Sequence, residues 1–381
     1  MAEVITVFVD WPHAPMTKSL VEQALSSLSH AFSIQPPSPL PEDPTVNPPG
    51  RKIVQWATYD SIDHRLTAQA RDTVLSSSYT FRKALIRKHF LSRTIRSYIT
   101  KHPDSSLVGA VPRTWEIELA FADEIDEMWT DDLFDLAEFL EEQNNPGSRW
   151  CILKPGMADR GMGIRLFDSK QGLQSIFEEF EGNGEEEDED ESSNTAVVIS
   201  HLRHFVVQVS PPNTGNPTHS HTKQEYLANP LLLDPGQDSG TVNPQGHKVR
   251  YFPSIVICHL SLYLTTKFHL RVYCIASGTL KVHLYTRILA LFSSVPFVLP
   301  EAGVLNPSLT PHLTNTSLQI DHGESGVRLL DELVGCRILS VGSNRKLTEE
   351  DVQSLIRQMG EILSETFKAA LENPVHFQVT F

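Results

Sequence analysis

The chain has 381 residues, of which 40% are hydrophobic, and this composition suffices for two or three globular domains with a sizeable core. Its formal net charge of −15 excludes a protein that binds nucleic acid over a broad surface. The 25 prolines indicate long loops between the ordered elements.

The cysteines and the apolar stretches indicate the compartment. The four cysteines are far apart and include no CxxC pair, which favours buried thiols in a reducing compartment over a zinc site. The N-terminus has neither a basic segment nor a long apolar run, so we expect no signal peptide. The most apolar later stretch, residues 252–264, is too short to span a bilayer. We therefore expect a cytoplasmic protein that does not enter a membrane.

The first 50 residues read as one small unit followed by a linker. Residues 4–9 (VITVFV) have the composition of a buried strand, and residues 16–28 carry apolar side chains at helical spacing. Residues 33–50 contain seven prolines in eighteen positions, which is typical of an extended linker or loop. The pattern predicts a small α/β unit at the N-terminus, over residues 1–50.

The central region, residues 51–145, contains a strongly basic segment that we interpret as one helix over residues 78–100. Its cations are Arg82, Lys83, Arg87, Lys88, Arg93, Arg96 and, just beyond it, Lys101. Such a charged face is either simply solvated or a dock for an anionic partner, and the acidity of the rest of the protein makes the second interpretation worth testing. Residues 131–142 (DDLFDLAEFLEE) predict an acidic amphipathic helix.

Residues 150–167 (WCILKPGMADRGMGIRLF) predict a strand, a glycine-rich loop and a second strand. Gly156, Gly161 and Gly163 lie between two apolar runs, and Lys154 stands at the base of the loop. Glycines let a backbone approach phosphate groups closely, and free N–H groups bind the anion. The spacing matches neither a P-loop nor a dinucleotide-binding turn. The segment is therefore either a hairpin that covers a nucleotide or a plain glycine-rich hairpin.

The C-terminal part alternates strands with helices. We expect a helix over residues 173–180, an acidic low-complexity loop over 181–194, a strand over 197–207, and a hairpin formed by residues 267–276 and 280–291. Residues 347–371 predict a long helix whose capping box is Thr348 with Asp351. Residues 375–381 (VHFQVTF) predict a further strand.

Six separated patches occur in one order: TVFVDW, RKALIRK, LKPGMADRGMGI, QEYLANPLLL, KFHLRVY and HLTN. Together they resemble the tubulin–tyrosine ligase family, and the resemblance covers nearly the whole chain. It implies an α+β protein with an ATP-grasp fold over residues 146–381, preceded by the small α/β unit. It also implies an ATP-dependent ligase that adds an amino acid, tyrosine, to the acidic C-terminal tail of a protein such as tubulin through an acyl-phosphate intermediate.

The resemblance also implies roles for particular residues. The residues that resemble the family's ATP contacts are Lys88, Lys154, Gly161, Gly163, Gln224, Glu225, Tyr226, Leu227, His269, Thr314 and Asn315. Lys267 and Arg271 resemble its phosphate and acyl-acceptor contacts and are the expected catalytic cations. Each position also has a purely structural interpretation: Lys154 as an exposed hairpin lysine, residues 224–227 as an ordinary strand, and Thr314 with Asn315 as a loop cap.

The chain departs from the family pattern in three ways. His269 stands where the family has Asp, and Leu291 stands near the position of a family Arg. Residues 209–223 and 249–266 interrupt two of the motifs. The family's two magnesium ligands, a Glu and an Asn, are expected beyond the final HFQVTF, so Mg²⁺ is expected from the family while its ligands are missing from the sequence given.

Two functions from different classes remain open at this stage. One is the ATP-dependent ligase, whose partners would be a free amino acid and an acidic, tubulin-like tail. The other is a non-catalytic ATP-grasp protein that binds nucleotide or another protein. Lys154, Lys267 and Arg271 favour the first, and Leu291 favours the second.

Overall fold

A computed structural model of the chain describes residues 4–29, 32–35, 52–141, 150–158, 162–182, 204–209, 268–278, 280–293, 295, 300–301, 304, 307–312, 327–338 and 345–378. The chain divides into two compact units. The first comprises Met1–Lys83, Ala276–Lys281 and Asn373–Phe381, and the second comprises Ala84–Ile275 and Val282–Glu372. The division of the chain into regions 1–50, 51–145 and 146–381 stays a prediction.

The first unit is a small α/β layer. Its elements are β1 (Ile5–Asp10), α1 (Pro15–Ser26), β2 (Phe32–Gln35), β3 (Ile53–Ala57), α2 (His64–Gln69) and β4 (Val74–Ser76). The strands pair in the order β2-β1-β3-β4, all in parallel. Val7 packs with Leu25 of α1 on one face, and Ile53 packs with Leu66 of α2 on the other, as expected for a parallel sheet covered on both sides. The strand–helix unit predicted at the N-terminus is confirmed.

The remaining elements alternate helices and strands, so the described chain is an α+β protein. They are α3 (Lys83–Ile86), α4 (Lys88–Lys101), β5 (Arg113–Glu118), α5 (Ile125–Met128), α6 (Phe134–Glu141), β6 (Cys151–Pro155), β7 (Arg165–Phe167), α7 (Lys170–Gly182), β8 (His204–Val209), β9 (Phe268–Arg271), β10 (Cys274–Ser277), β11 (Lys281–Leu284), β12 (Leu289–Phe292), β13 (Val327–Leu329) and α8 (Glu349–Leu371).

The larger core of the second unit lies under a four-stranded antiparallel sheet with the order β5-β8-β6-β7. Because side chains alternate along a strand, Leu153 and Val207 face α6 and α7, where Leu136 and Phe177 are fully buried with them. β6 and β7 pair in register from Cys151 opposite Phe167, which confirms the predicted strand–loop–strand arrangement. The helix predicted over residues 173–180 is confirmed as part of α7.

The single basic helix predicted over residues 78–100 is wrong at its N-terminal part. Residues 78–82 are not helical, and the chain forms two helices, α3 and α4, separated by Arg87 with extended backbone angles (φ −97°, ψ 121°). The break turns the first residues of α4 towards the end of β6, where the Lys88 backbone N–H lies 3.5 Å from the Gly156 carbonyl oxygen. The apolar periodicity of the sequence continues across Arg87, because both helices carry apolar side chains on the covered face. Periodicity alone therefore does not reveal the break.

Two other element boundaries also differ from the sequence prediction. The acidic helix begins at Phe134 and not at residue 131, since residues 131–133 form turns. The strand predicted from residue 375 is wrong for the described residues: the chain turns at residues 374–376, and Gln378 makes one isolated bridge to Phe81. Val209, taken as the first residue of an interruption, is fully buried and continues β8 opposite Arg113.

A second antiparallel sheet, with the order β13-β12-β9, is covered by α8. β9 and β12 are the two arms of the predicted hairpin, and β10 and β11 continue it towards Gly278, whose positive φ of 60° suits glycine. The capping box of α8 is confirmed, since the Asp351 backbone N–H donates to Thr348 Oγ1 and the Thr348 backbone N–H donates to the Asp351 carboxylate.

Helices α4 and α8 are joined by one carboxylate. Glu365 of α8 accepts hydrogen bonds from the Tyr98 hydroxyl at 3.2 Å, from the Ser105 hydroxyl at 2.7 Å and from the Lys368 ammonium at 2.7 Å. These donors, of which the Lys368 hydrogen bond contributes most, hold the pKa of the Glu365 carboxyl below its usual range. The side chain is only 19% exposed, so its loss leaves the hydroxyl groups of the buried Tyr98 and the half-buried Ser105 without this acceptor.

We predict that Glu365→Ala lowers the free energy of unfolding by about 1–3 kcal/mol, because hydrogen bonds to a charged acceptor are lost from a largely buried position. Urea denaturation at neutral pH measures the change. Glu361→Ala, at an exposed position of the same helix, serves as the control and should change stability by less than about 0.5 kcal/mol. Equal effects of both substitutions would show that Glu365 does not join the two helices.

A second prediction concerns the loop between β6 and β7. Gly163 has a φ of +67°, and a Cβ atom placed on it would lie 2.7 Å from Pro155 Cγ. Gly163→Ala should therefore destabilise the protein by about 1–2 kcal/mol, since L-residues are strained in the left-handed region. Gly360→Ala, in the middle of α8 with no neighbouring atom within 4 Å, should instead stabilise it by about 0.5–1 kcal/mol. Urea denaturation should show changes of opposite sign in the free energy of unfolding for the two variants. An unchanged free energy of unfolding in Gly163→Ala would contradict the left-handed conformation of Gly163.

Candidate functional site

Two lysines from different elements meet at the C-terminal end of β6. Lys88 opens α4, and its ammonium group donates to the carbonyl oxygens of Pro155 at 3.0 Å and Ala158 at 3.2 Å. Lys154 lies on β6 itself, and its ammonium group donates to Gln208 Oε1 at 2.7 Å. These contacts hold both ammonium groups in place. The structure thus places two of the cations that the sequence predicted for ATP at the last residues of β6.

Gln208 on β8 orients Lys154. Its amide nitrogen donates to Thr114 Oγ1 at 3.3 Å, so a polar row crosses three neighbouring strands from Thr114 through Gln208 to Lys154. The row lies on the sheet face opposite the buried core, because Gln208 pairs in register with Ile152 and not with the core residue Leu153. The sequence analysis did not select Gln208. The signal available was a polar residue placed within a fully apolar strand.

Gly156 allows α4 to approach the end of β6. A Cβ atom placed on Gly156 would lie 2.7 Å from His89 Nδ1 and 2.9 Å from the His204 carbonyl oxygen, so only glycine fits. The Gly156 backbone N–H donates to that same carbonyl oxygen at 2.6 Å. The His89 ring stacks on the His204 ring with centroids 4.5 Å apart. The base of the glycine loop is therefore packed tightly between α4 and β8.

His89 is held in its neutral form. Burial, which disfavours the charged ring, lowers the pKa of His89 from its ordinary value to about 4. The positive charges of His204, Arg93 and Arg87 act in the same direction, while Glu118 opposes them. His89 was not selected from the sequence, because it lies in a run of basic residues and nothing in the pattern distinguishes it from them.

The basic face of α4 is partly neutralised within the protein. Arg93 and Arg96 both pair with Glu116 of β5, at 2.7 and 3.2 Å. Their side chains are nevertheless 55% and 62% exposed, so they remain accessible to solvent. Lys101 pairs with Glu372 of α8. These contacts give the helix a structural role in addition to any role in binding.

The other sheet carries His269 and Arg271 on β9. The two side chains lie on the face that does not pack under α8, since Phe268 and Leu270 occupy the other face in the core. Arg271 is exposed and His269 is half-buried. In register, His269 stands directly opposite the buried Leu291 of β12. The two positions at which the sequence was expected to depart from the family pattern are therefore neighbours across one strand pair.

The remaining predicted site residues lie outside the described residues. They are Gly161, Gln224, Glu225, Tyr226, Leu227, Lys267, Thr314 and Asn315. Their roles, including that of Lys267 in catalysis, stay predictions.

The described parts of the chain contain no group of three or more His, Cys, Asp or Glu side chains placed to hold a metal ion. They also contain no helix with the length and apolar character needed to cross a membrane.

The arrangement at the end of β6 fits the phosphates of a nucleotide. Two ammonium groups, on Lys88 and Lys154, are oriented by hydrogen bonds, and the backbone has no side chain at Gly156 and Gly163. A bound polyphosphate would gain charge-assisted hydrogen bonds from both cations, which are stronger than bonds between neutral groups. No carboxylate or nucleophile of this turn is needed for such a role.

Comparison with known proteins gives the family. The family model described as "Tubulin-tyrosine ligase family" matches residues 75–379. The chain is 31% identical over 338 residues to "Probable tubulin--tyrosine ligase C12B10.04" of Schizosaccharomyces pombe, covering 85% of this chain and 68% of that protein. It is 30% identical over 344 residues to "Probable tubulin--tyrosine ligase PBY1" of Saccharomyces cerevisiae, covering 86% of this chain but 38% of the relative.

A solved structure gives the fold. The chain is similar, with a TM-score of 0.51 and 24% identity, to the crystal structure of the C-terminal domain of K. lactis Pby1, which is described as an ATP-grasp enzyme interacting with the mRNA decapping enzyme Dcp2. The similarity covers 96% of this chain and 75% of that one. The α+β protein therefore has an ATP-grasp fold, as the resemblance implied, and the chain belongs to the tubulin–tyrosine ligase family.

Proposed function

We propose that this chain binds ATP with its phosphates at the end of β6. The observation that carries the proposal is that two lysines from separate elements are held at the last residues of β6: Lys88 by the Pro155 and Ala158 carbonyl oxygens of the turn, and Lys154, on the strand itself, by Gln208. Two such cations beside a glycine-containing turn suit a polyanion, and a hydrogen bond to a charged group contributes about 1.5–3 kcal/mol. Gly163 and the predicted Gly161 would let the loop lie close to the phosphates. Mg²⁺ is expected to accompany ATP, as is typical of ATP-grasp proteins.

For the reaction, we propose the amide ligation that the family membership supports. A substrate carboxylate would take the γ-phosphoryl group of ATP and release ADP, and an amine would then displace inorganic phosphate from the acyl phosphate to form the amide. Arg271, exposed on β9, and Lys267, just before that strand, would hold the carboxylate and the transferring phosphoryl group. Lys154, oriented by Gln208, would hold the phosphate chain of the nucleotide. Fixed cations of this kind lower a barrier because they need no reorganisation as charge develops.

The proposed substrates are free tyrosine and the acidic C-terminal tail of a tubulin-like protein. The printed names of the two yeast relatives support this choice, and so does the exposed basic face formed by Arg93 and Arg96. An acidic tail would be attracted to that face even though Glu116 partly neutralises its positive charge. The compartment that best suits such a substrate is the cytoplasm, where the buried Cys151 and Cys336 would stay reduced.

A second function, a non-catalytic nucleotide-binding or interaction protein, is favoured by the pair His269 and Leu291. The half-buried imidazole of His269 stands opposite the buried Leu291, and neither side chain carries a fixed charge. The pair formed by β9 and β12 thus lacks the Asp and the Arg that we expect in the family. The K. lactis relative, described as interacting with a decapping enzyme, supports an interaction role of this kind. Incorporation of labelled tyrosine into a tubulin tail distinguishes the two functions: incorporation that depends on ATP supports the ligase, and ATP binding without incorporation supports the alternative.

We predict that Lys154→Met weakens ATP binding about tenfold or more, because one charge-assisted hydrogen bond to phosphate is lost while the aliphatic stem is kept. Isothermal titration calorimetry with a non-hydrolysable ATP analogue measures the affinity. Lys170→Met, which removes a lysine that pairs with Glu141 on α6, is the matched control and should leave the affinity unchanged. Unchanged affinity in a folded Lys154→Met protein would show that β6 does not bind the nucleotide.

Binding of an acidic tail to α4 is tested separately. A Glu-rich peptide should bind more weakly as salt rises from 50 to 300 mM, roughly the range in which screening shortens the reach of surface charges. The double substitution Arg93→Gln and Arg96→Gln should abolish binding of the peptide at low salt, whereas Arg71→Gln, in the first unit, should leave this binding unchanged. Fluorescence anisotropy of a labelled peptide gives both results. Affinity that does not depend on salt, or that survives the double substitution, would assign α4 a purely structural role.

A further inference from the structure

His89 is a buried side chain beside the proposed phosphate site to which the proposed function gives no role. It is only 6% exposed, and its Nδ1 atom is buried without a hydrogen-bond partner. A buried polar atom without a partner destabilises a protein, so a histidine here needs a reason. The reason must lie in what the ring contacts.

The His89 ring fills the space that a side chain on Gly156 would otherwise occupy. The position of a Cβ atom on Gly156 is 2.7 Å from Nδ1, so this nitrogen faces the Gly156 α-carbon. On its flat side the ring stacks on His204, with the planes inclined by 21°. Because Gly156 also donates to the His204 carbonyl oxygen, the glycine, the two rings and the start of β8 form one packed contact.

The same turn carries the lysine contacts. Lys88 precedes His89 on α4, and its ammonium group binds the carbonyl oxygens of Pro155 and Ala158, one on each side of Gly156. A shift of Gly156 therefore moves both acceptors of Lys88 and the end of the strand that carries Lys154. The ring of His89 is the only described side chain that touches Gly156 from the α4 side at this distance.

We propose that His89 is a positioning residue for nucleotide binding: its ring, wedged between His204 and Gly156, fixes the turn of residues 155–158, whose carbonyl oxygens hold Lys88 and which directly follows Lys154. This inference rests on the proposed ATP site. It assigns His89 no contact with the nucleotide. The ring is uncharged at neutral pH, because burial lowers the pKa of His89 to about 4.

The charges around the ring favour this neutral form. Arg87 and Arg93 of the α4 segment and His204 of β8 repel a second positive charge, and only Glu118 of β5 attracts one. In the unfolded chain the imidazole has an ordinary pKa of about 6.5. The unfolded state therefore binds more protons than the folded state between about pH 6.5 and pH 4, and stability must fall as the pH falls through this window. Above about pH 6.5 the ring is neutral in both states, and this effect vanishes.

The test uses the full chain and three substitutions. His89→Ala should weaken binding of a non-hydrolysable ATP analogue at least about fivefold at pH 7.5, since small displacements of positioning groups have large effects. His89→Phe keeps a stacked ring without a nitrogen and should retain affinity within about twofold. Ile95→Ala, which removes a buried side chain of the same helix that packs towards α8, should lower the melting temperature without weakening binding. Circular dichroism confirms that each variant is folded at the temperature of the titration.

A second measurement does not need the nucleotide. The melting temperature of the parent protein should fall more steeply from pH 6.5 to pH 4.5 than that of His89→Phe, because only the parent takes up a proton at His89 on unfolding. If the tight contact prevents His89→Phe from folding, His89→Leu takes its place in both measurements.

The outcomes separate the two levels of the proposal. A folded His89→Ala protein that binds the analogue like the parent overturns the positioning role, and so does a pH profile that is the same for parent and His89→Phe. A parent protein that does not bind the analogue at all overturns the ATP site and, with it, the role of His89 in binding. Loss of affinity in both His89→Ala and Ile95→Ala also overturns the positioning role of His89, because the loss would then result from general destabilisation of the protein.

Discussion

The contact between the first turn of α4 and the end of β6 constrains the rest of the second unit. Gly156 has no side chain, so α4 comes close enough for the Lys88 ammonium group to bind the carbonyl oxygens of Pro155 and Ala158 and for His89 to lie on the glycine backbone. At its other end, α4 is held to α8 through Tyr98 and Glu365. One helix thus links the four-stranded sheet to the helix that covers the second sheet. A side chain at position 156 would disturb this linkage at its start.

The end of β6 also carries the two lysines of the proposed phosphate site, Lys88 and Lys154. Lys154 is half-buried, and Gln208 supplies an acceptor for its ammonium group from the neighbouring strand. The backbone oxygens of Pro155 and Ala158 accept hydrogen bonds from Lys88. Cations held in place in this way suit a site that receives a polyanion. On the second sheet, Arg271 is exposed on β9, and His269 stands opposite the buried Leu291 of β12.

The sequence allowed the elements with strong local signals to be predicted. The hairpin around Gly278, the capping box of α8 and the strand–loop–strand segment around Lys154 follow from turn chemistry and apolar periodicity, and the structure confirms them. The break at Arg87 could not be predicted, because it depends on a contact with Gly156 that is distant in sequence. For the same reason Gln208 and His89 were missed: a polar residue in an apolar strand and a histidine in a basic run acquire their roles only from the neighbours that tertiary packing brings to them.

The most direct test of the account is a crystal structure of the protein with Mg²⁺ and a non-hydrolysable ATP analogue. The account predicts phosphate oxygens within hydrogen-bond distance of the ammonium groups of Lys154 and Lys88, with the His89 ring still stacked on His204 and against Gly156. A nucleotide bound away from the end of β6, with Lys154 still donating to Gln208 alone, would contradict it.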